Sequence, residues 1–210
     1  MYAPKFFREE RQQVLLDTIR EVGAVSLVTH TPEGLASTLM PTLIGGTDEA
    51  PELIGHIARA NPQWKTTDTS QQALAIAIGA NHYVSPNWYP SKKIDGQVVP
   101  TWNYVHIQAH GRVEFIDDRD ECLAIVTGLT DLHEAEQHAP WAVNDAPPEF
   151  TDSKLKAIVG VRIRIDRLEG SFKLSQNQAA ENRDGVIEGL TSSGTARQSA
   201  LAETMLTRGT

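Results

Sequence analysis

The sequence predicts a mainly β fold with peripheral helices, built as an antiparallel barrel. Three observations predict it. About six short apolar segments of strand type follow one another in hairpin-like succession. Helical periodicity is confined to the start, the late middle and the end of the chain. The pattern therefore differs from the regular alternation of strand and helix that builds a parallel, doubly wound sheet.

The first part of the chain predicts one helix followed by strands. Apolar residues recur at helical spacing from Lys5 to Val22, and Gly23 follows where a helix would end. The turn-rich sequence Thr31-Pro32-Glu33-Gly34 predicts a hairpin. Strands are predicted at 24–29, 35–40, 53–58 and 73–79. The last of these is apolar on both faces, as expected for a strand deep in a barrel or a sandwich.

The second part of the chain contains the clearest strand. Between Tyr104 and Phe115, apolar residues alternate with polar ones, which is the period of a half-buried strand. A helix is predicted at 118–137, opened by the acidic pair Asp117-Asp118, and a strand at 158–168. Residues 177–208 predict helix and tail, interrupted at Gly185, Gly189 and Gly194.

Composition limits the classes of partner. The chain has 210 residues with 19 Lys and Arg against 27 Asp and Glu, a formal net charge of −8. So acidic a surface argues against broad binding of nucleic acid, which needs a basic stripe. The apolar runs are too short to span a bilayer, and no apolar core of a secretory signal follows Met1. We therefore expect a cytoplasmic protein without membrane association.

The sequence contains no recognisable catalytic or metal-binding motif. The single cysteine, Cys122, excludes an intramolecular disulfide and is expected to be a small buried hydrophobe. His106 and His110 lie four apart, but on a strand that spacing separates them by about 13 Å, too far for one metal ion. The sequence contains no phosphate loop, nucleophile elbow or dinucleotide fingerprint. No metal site is predicted.

Aromatic and polar residues concentrate in loop-rich segments. Two adjacent aromatics, Trp88 and Tyr89, lie close to hydroxyls and to two lysines, and Trp102 precedes Asn103. Aromatic faces, amides, hydroxyls and fixed positive charge suit a flat heteroaromatic ligand with a phosphate, such as flavin mononucleotide (FMN) or pyridoxal phosphate. The same residue types also plug the ends of barrels or line dimer interfaces. From the residues alone, both interpretations stay open.

Four segments carry a resemblance to a known family. They are Ala58-Arg59-Ala60-Asn61-Pro62-Gln63-Trp64, Tyr83-Val84-Ser85-Pro86-Asn87-Trp88-Tyr89, Val99-Pro100-Thr101-Trp102-Asn103-Tyr104 and Lys173-Leu174-Ser175-Gln176-Asn177. In this order they resemble the PaiB family of FMN-binding negative transcriptional regulators, as does the opening Met1-Tyr2-Ala3-Pro4. The resemblance runs from Met1 to about Leu190. It implies the FMN-binding split β-barrel of the pyridoxamine-phosphate-oxidase-like superfamily, with a homodimer holding FMN at the subunit interface.

The resemblance also implies a domain division and a set of cofactor-binding residues. Residues 1–190 would form one split-barrel domain, and residues 191–210 a helical or disordered tail. Arg59 would supply charge to the flavin phosphate, with Lys92 and Lys173 as further candidates. The complete predicted set is Arg59, Asn61, Ser85, Trp88, Tyr89, Lys92, Thr101, Trp102, Asn103 and Lys173. The chain departs from the family at Gln178, where a basic residue is customary.

Three functions follow as alternatives. The first is an FMN-binding regulator that acts through flavin state or a partner protein, because no helix-turn-helix is recognisable and the net charge is negative. The second is an FMN-dependent oxidoreductase linked to a flavin or a pyridine nucleotide, since bound FMN exchanges hydride with little help from protein acids. The third is haem binding or degradation.

Overall fold

The computed structural model describes residues 1–192 and 194–209. Ser193 and Thr210, both in the predicted tail, lie outside the described residues. Seven strands form one sheet: β1 (Arg8–Glu9), β2 (Ala24–Thr31), β3 (Gly34–Gly46), β4 (Pro51–Ala58), β5 (Ala73–Val84), β6 (Thr101–Ile116) and β7 (Ile158–Lys173). Within the described residues six α-helices accompany them: α1 (Gln12–Val22), α2 (Gln63–Thr66), α3 (Arg119–Glu134), α4 (Pro148–Leu155), α5 (Ala180–Ser192) and α6 (Ala196–Arg208).

The strand order is β1-β7-β4-β3-β2-β5-β6, and β6 also pairs with β7. The pairings therefore return to β7, so that six strands form a closed ring and β1 is added beside it. The pairs β2–β3, β2–β5, β3–β4 and β4–β7 are antiparallel. This connectivity agrees with the predicted antiparallel barrel.

The chain divides into two compact units. Unit 1 contains Met1–Leu15, Ile78–Ile107 and the chain from Glu169 onward, and unit 2 contains Leu16–Ala77 and Gln108–Leu168. The core of unit 1 includes Val84, Leu174, Leu190 and Met205, and that of unit 2 includes Leu27, Met40, Leu53 and Ile163. The predicted division into a domain of 1–190 and a tail of 191–210 stays a prediction.

The predicted first helix is wrong over its first third. Lys5–Phe7 forms a 3-10 turn, Arg8–Glu9 forms β1, and the helix begins only at Gln12. The reason is tertiary: Arg8 and Glu9 pair with Ser171 and Gly170 of β7, and Phe7 is buried. Backbone pairing with a distant strand here overrides the local helical spacing.

Two further predictions require correction. The strand at 73–79 is not buried on both faces: Ala73, Ala75 and Ala77 are buried, whereas Ile78 is 60% exposed. Gly185 and Gly189 do not interrupt a helix, because both lie inside α5. Gly194 does separate α5 from α6, with φ +72°, a conformation that favours glycine.

The other predicted elements are confirmed with shifted ends. β6 buries Val105, Ile107 and Ala109 on one face, as its alternation indicates. Asp118 caps α3 by accepting hydrogen bonds from the backbone N–H groups of Asp120 and Glu121. Cys122 is buried. No helix among the described residues is long and apolar enough to cross a membrane.

Candidate functional site

One cavity of unit 1 gathers four of the ten predicted cofactor residues. Its volume is about 350 Å³, and we call it the Lys173 cavity. Its lining is Phe7, Tyr89, Gln97, Val98, Val99, Thr101, Asn103, Lys173, Ser175, Asn177, Gln178 and Asn182. Lys173 is the only charged residue among these twelve. The cavity therefore combines one fixed positive charge with hydroxyls, amides and two aromatic rings.

The ends of β6 and β7 build the polar wall. Thr101 and Asn103 are two apart on β6, so they lie on the same face of the strand. Lys173 donates to Thr101 Oγ1 at 2.6 Å, and the Asn103 amide Nδ2 donates to Ser175 Oγ at 2.9 Å. Two side-chain hydrogen bonds thus join the start of β6 to the end of β7 and the residues that follow it.

Ser175 is held in an unusual backbone conformation. Its φ is +65°, and it is the only non-glycine residue of the described chain with a positive φ. Strain of this kind costs on the order of 1–3 kcal/mol and persists only where neighbouring contacts fix it. The side chain of Gln176 supplies two such contacts. Its Oε1 accepts a hydrogen bond from the Leu174 N–H at 2.7 Å, and its Nε2 donates one to the Phe172 carbonyl oxygen at 2.6 Å.

The Ser175 hydroxyl lies between two other lining residues. It accepts from Asn103, and a side-chain hydrogen bond joins it to Tyr89. Tyr89 is 5% exposed, and burial raises the pKa of its hydroxyl above the ordinary value, while the bond to Ser175 opposes part of the rise. Tyr89 is therefore neutral at physiological pH, and it contributes a phenol ring and a hydroxyl group to the cavity lining.

Asn103 contains an unpaired buried acceptor. The residue is fully buried, and its Oδ1 accepts no hydrogen bond from any residue of the described chain. Its Nδ2 is used by Ser175 and by the Met205 sulfur at 3.6 Å. A buried carbonyl oxygen without a partner costs about 1–3 kcal/mol, so a ligand with an N–H or O–H donor can recover that cost.

The remaining predicted residues of unit 1 lie outside this lining. Ser85 caps the 3-10 turn Pro86–Trp88 by accepting from the Asn87 N–H at 3.2 Å, and Lys92 donates to the Asn87 side chain. Trp88 lines a different and more open cavity, against α5. Trp102 is 44% exposed, and its ring stacks with His82 at 6.3 Å between centroids.

The two predicted residues of unit 2 are engaged within the protein. Arg59 forms an ion pair with Asp117 at 2.5 Å and donates to the carbonyl oxygens of Lys156 and Ile158 at 2.8 and 2.9 Å. Asn61 donates to Thr38 Oγ1 at 2.7 Å and accepts from the Gln63 N–H. These bonds hold the end of β4, and any role toward a cofactor stays a prediction.

Arg59 also lines a cavity of unit 2 with balanced charge. The volume is about 270 Å³. The charged lining residues are Arg59, Arg119, Lys156, Asp117, Asp118 and Asp152. Because three cations face three carboxylates, this cavity carries no net charge for an anionic ligand. Cys122 also lines it, and burial raises the pKa of that thiol, which keeps it protonated.

Sequence reasoning did not select Ser175 or Asn182 as site residues. Ser175 stands inside the quoted motif Lys173-Leu174-Ser175-Gln176-Asn177, so the motif itself was the available signal. Asn182 accepts from the Ser91 N–H at 3.2 Å and enters the lining from α5. Only the packing of α5 against the loop after β5 reveals it.

A sheet with this strand order, together with a polar cavity holding one cation, is typical of a small-ligand-binding β-barrel. Residues 1–167 match the model of the family described as "Putative FMN-binding domain". The chain belongs to that family, and FMN is its cofactor. The match ends before Lys173 and Ser175, so these two residues lie on a segment that the family model does not describe.

Two curated relatives match nearly the whole chain. An uncharacterised protein of Aspergillus fumigatus is 33% identical, with 98% of this chain and 92% of the relative covered. The protease synthase and sporulation protein PAI 2 of Bacillus subtilis is 28% identical, with 98% of this chain and 96% of the relative covered. The resemblance to the PaiB family is therefore confirmed.

Solved structures confirm the fold class. A conserved hypothetical protein of Mycobacterium tuberculosis superimposes with a TM-score of 0.58 at 11% identity, covering 85% of this chain and 94% of its own. The FAD and haem binding protein of Mycobacterium smegmatis gives 0.57 at 13% identity, covering 90% and 80%. At such identities the likeness concerns the fold alone, which is the antiparallel split β-barrel.

Proposed function

We propose that the Lys173 cavity binds one end of FMN and that the chain is a flavin-binding regulator that acts without contacting DNA. The observation that carries the proposal is the convergence of Tyr89, Thr101, Asn103 and Lys173 on one cavity. These four residues come from three separate motifs and span 85 residues of the sequence, from Tyr89 to Lys173. Their meeting in one place supports a shared ligand.

The donors and acceptors of the cavity fit FMN. A flavin has a flat ring with carbonyl oxygens and one N–H, and a phosphate at the end of a polar chain. Lys173 and Thr101 suit a carbonyl or phosphate oxygen, and the unpaired Asn103 Oδ1 suits an N–H. At about 350 Å³ the cavity is at the small end of ligand pockets, so it suits one end of the molecule.

The lining itself provides little acid–base chemistry. Among the described lining residues there is no carboxylate, imidazole or thiol, and Tyr89 is kept neutral by burial. Bound FMN would supply one- and two-electron transfer, while the residues of this chain bind and orient it. This combination favours a sensor of flavin occupancy or redox state over an enzyme that needs proton transfer from side chains.

The regulatory part of the proposal rests on likeness and charge. The relative PAI 2 is named for protease synthesis and sporulation, and we transfer to this chain only the expectation of a regulatory role. With a net charge of −8, the surface opposes the phosphate backbone of DNA. Regulation would then pass through flavin state or a partner protein.

A described lining without carboxylate, imidazole or thiol also suits a second candidate, an FMN-dependent oxidoreductase. Hydride transfer between a pyridine nucleotide and FMN needs no protein acid. Steady-state oxidation of NADH and NADPH with the FMN-loaded protein separates the two. Turnover well above that of free FMN would favour the enzyme, and turnover equal to that of free FMN would favour the regulator.

We further infer a homodimer from an apolar face of the sheet in unit 2. Leu35 and Leu39 of β3 are each 70% exposed. The register places Leu39, Ser26 and Ile76 side by side, and Leu74 beside Val28 on the same face. On this face the exposed Leu39 lies beside the partly buried aliphatic side chains of Val28, Leu74 and Ile76, and an apolar patch of this kind is typical of a surface that a partner covers.

FMN titration of the apoprotein tests the binding proposal. Wild-type protein should quench flavin fluorescence with saturation, and Lys173→Met should weaken binding about 10- to 100-fold, because it removes a charge-assisted hydrogen bond. Lys93→Met is the matched control, since Lys93 lies in the same unit but outside the cavity lining, and it should bind normally. Wild-type protein that fails to bind FMN, or equal affinities of all three proteins, would overturn the proposal.

A further inference from the structure

The start of β6 and the chain after β7 present two neighbouring polar rungs. One rung is Lys173 with Thr101 at 2.6 Å, and the other is Ser175 with Asn103 at 2.9 Å. Thr101 and Asn103 are separated by one residue on one face of a strand, which spaces their Cα atoms by about 7 Å. A ligand that contacts both rungs along one edge must satisfy two different hydrogen-bonding requirements.

The first demand is for an acceptor. An ammonium group has three N–H donors, and within the described chain Lys173 gives a hydrogen bond only to Thr101. The ammonium also makes a cation–π contact with the Phe7 ring, whose centroid lies 6.0 Å from Nζ. Lys173 therefore has donors left for an oxygen of the ligand.

The second demand is for a donor. Asn103 Oδ1 is fully buried and has no partner in the part of the chain that the structure describes, although both Nδ2 contacts are made. The dianionic form of a phosphate cannot satisfy it, because its oxygens bring only lone pairs against the lone pairs of the carbonyl. A neutral N–H satisfies it fully.

We propose that the Lys173 cavity recognises the imide edge of the flavin ring, in which an N–H stands between two carbonyl oxygens. Asn103 Oδ1 accepts from the imide N–H, and Lys173 donates to a neighbouring carbonyl oxygen. The inference rests on the proposed function, and it assigns the ring end of FMN, rather than the phosphate end, to this cavity.

The content of the cavity agrees with this orientation. Flavin phosphates are held by several donors, yet Lys173 is the only cation of the lining. Two of the other polar lining groups already have partners within the protein, because Ser175 accepts from Asn103 and Asn182 accepts from the Ser91 N–H. Gln178, which also lines the cavity, is neutral and adds no positive charge that a phosphate would use.

Two flavin analogues test the assignment by affinity alone. In 3-methyl-FMN the imide N–H is replaced by a methyl group, so wild-type protein should bind it at least about 10-fold more weakly than FMN. In Asn103→Leu, which keeps the side-chain size and removes the acceptor, the difference should fall to about 2-fold or less. The wild-type comparison stands by itself if Asn103→Leu does not fold.

Riboflavin, which lacks the phosphate, separates the two ends of the ligand. If Lys173 faces the ring, Lys173→Met lowers the affinity for FMN and the affinity for riboflavin by the same factor, while Lys93→Met changes neither affinity. Equal wild-type affinity for FMN and 3-methyl-FMN would overturn the inference, as would a loss in Lys173→Met confined to FMN. Both of these results leave FMN binding intact, whereas absence of FMN binding refutes the proposed function itself.

Discussion

Gly189→Ala should destabilise the protein through its contact with Trp88. A Cβ atom added at Gly189 would lie 2.4–2.5 Å from three atoms of the Trp88 ring, and one added at Gly185 would lie 2.2 Å from the Trp88 carbonyl oxygen. These two glycines of α5 therefore form the surface on which Trp88 packs. Trp88 belongs to the predicted cofactor-binding set; the structure shows its packing against α5, and a contact with the flavin stays a prediction.

The magnitude follows from two opposing effects. Alanine in a helix interior is favoured over glycine by about 1 kcal/mol. Overpacking against a rigid ring costs about 1–3 kcal/mol, because both the helix and the indole must shift. Since the added atom would overlap three ring atoms at once, we take the upper part of that range. The expected net loss of unfolding free energy is about 1–2 kcal/mol.

Gly128→Ala is the matched control on another helix. Its added Cβ meets only Leu43 Cδ1 at 2.9 Å, the free end of a flexible side chain that can turn away. We expect this variant to be as stable as wild type or slightly more stable. Urea unfolding followed by far-UV circular dichroism measures both variants. A Gly189→Ala protein as stable as the Gly128→Ala protein would refute the role given to the glycine surface.

Three further predictions concern protonation, reactivity and assembly. Burial lowers the pKa of His56 and His106, so below about pH 6.5 the unfolded chain binds protons that the folded chain does not, and the thermal midpoint should fall as the pH is lowered. His56→Gln should reduce the slope of that fall. The buried Cys122 thiol, with its pKa raised by burial, should react with iodoacetamide only after unfolding in urea. Leu39→Glu should convert the proposed dimer to monomer in light scattering, while Thr69→Glu, in an exposed loop, should not.

Each of these predictions has a result that contradicts it. A thermal midpoint that stays constant or rises from about pH 7 to about pH 5 would contradict the desolvation of the two histidines. Rapid labelling of Cys122 in the folded protein would mean that the thiol is accessible. An unchanged molecular mass of Leu39→Glu, or a monomeric wild-type protein, would remove the inferred interface.

The strands were predictable because their signal is local. In β6 the buried residues Val105, Ile107 and Ala109 alternate with polar ones, and this alternation identifies strand and face without any tertiary information. The Asp118 cap is local in the same sense. The failure at Arg8–Glu9 has the opposite cause, because these residues are extended only through pairing with Ser171 and Gly170.

Glycine in a helical pattern shows the limit of local reasoning most clearly. Gly185 and Gly189 lower helix propensity, so the sequence favours a break at each. In α5 both positions lie where a neighbouring chain segment approaches closer than a Cβ atom would allow, so tertiary packing and not helix propensity accounts for glycine here. The sequence contains no sign of which neighbour that is.

The candidate site was partly predictable, through motifs rather than through periodicity. The quoted segments contain Tyr89, Thr101, Asn103 and Lys173, which the fold then gathers. The unpaired Oδ1 of Asn103 and the positive φ of Ser175 are properties of the folded chain, and no sequence pattern shows them. They are also the features that distinguish a ligand site from an ordinary polar core.

A crystal structure of the protein with bound FMN is the decisive test of the Lys173 cavity as a flavin site. Flavin density is expected in the cavity, in contact with Lys173 and Asn103. Flavin bound with that cavity filled only by water, or by the protein's own side chains, would contradict it.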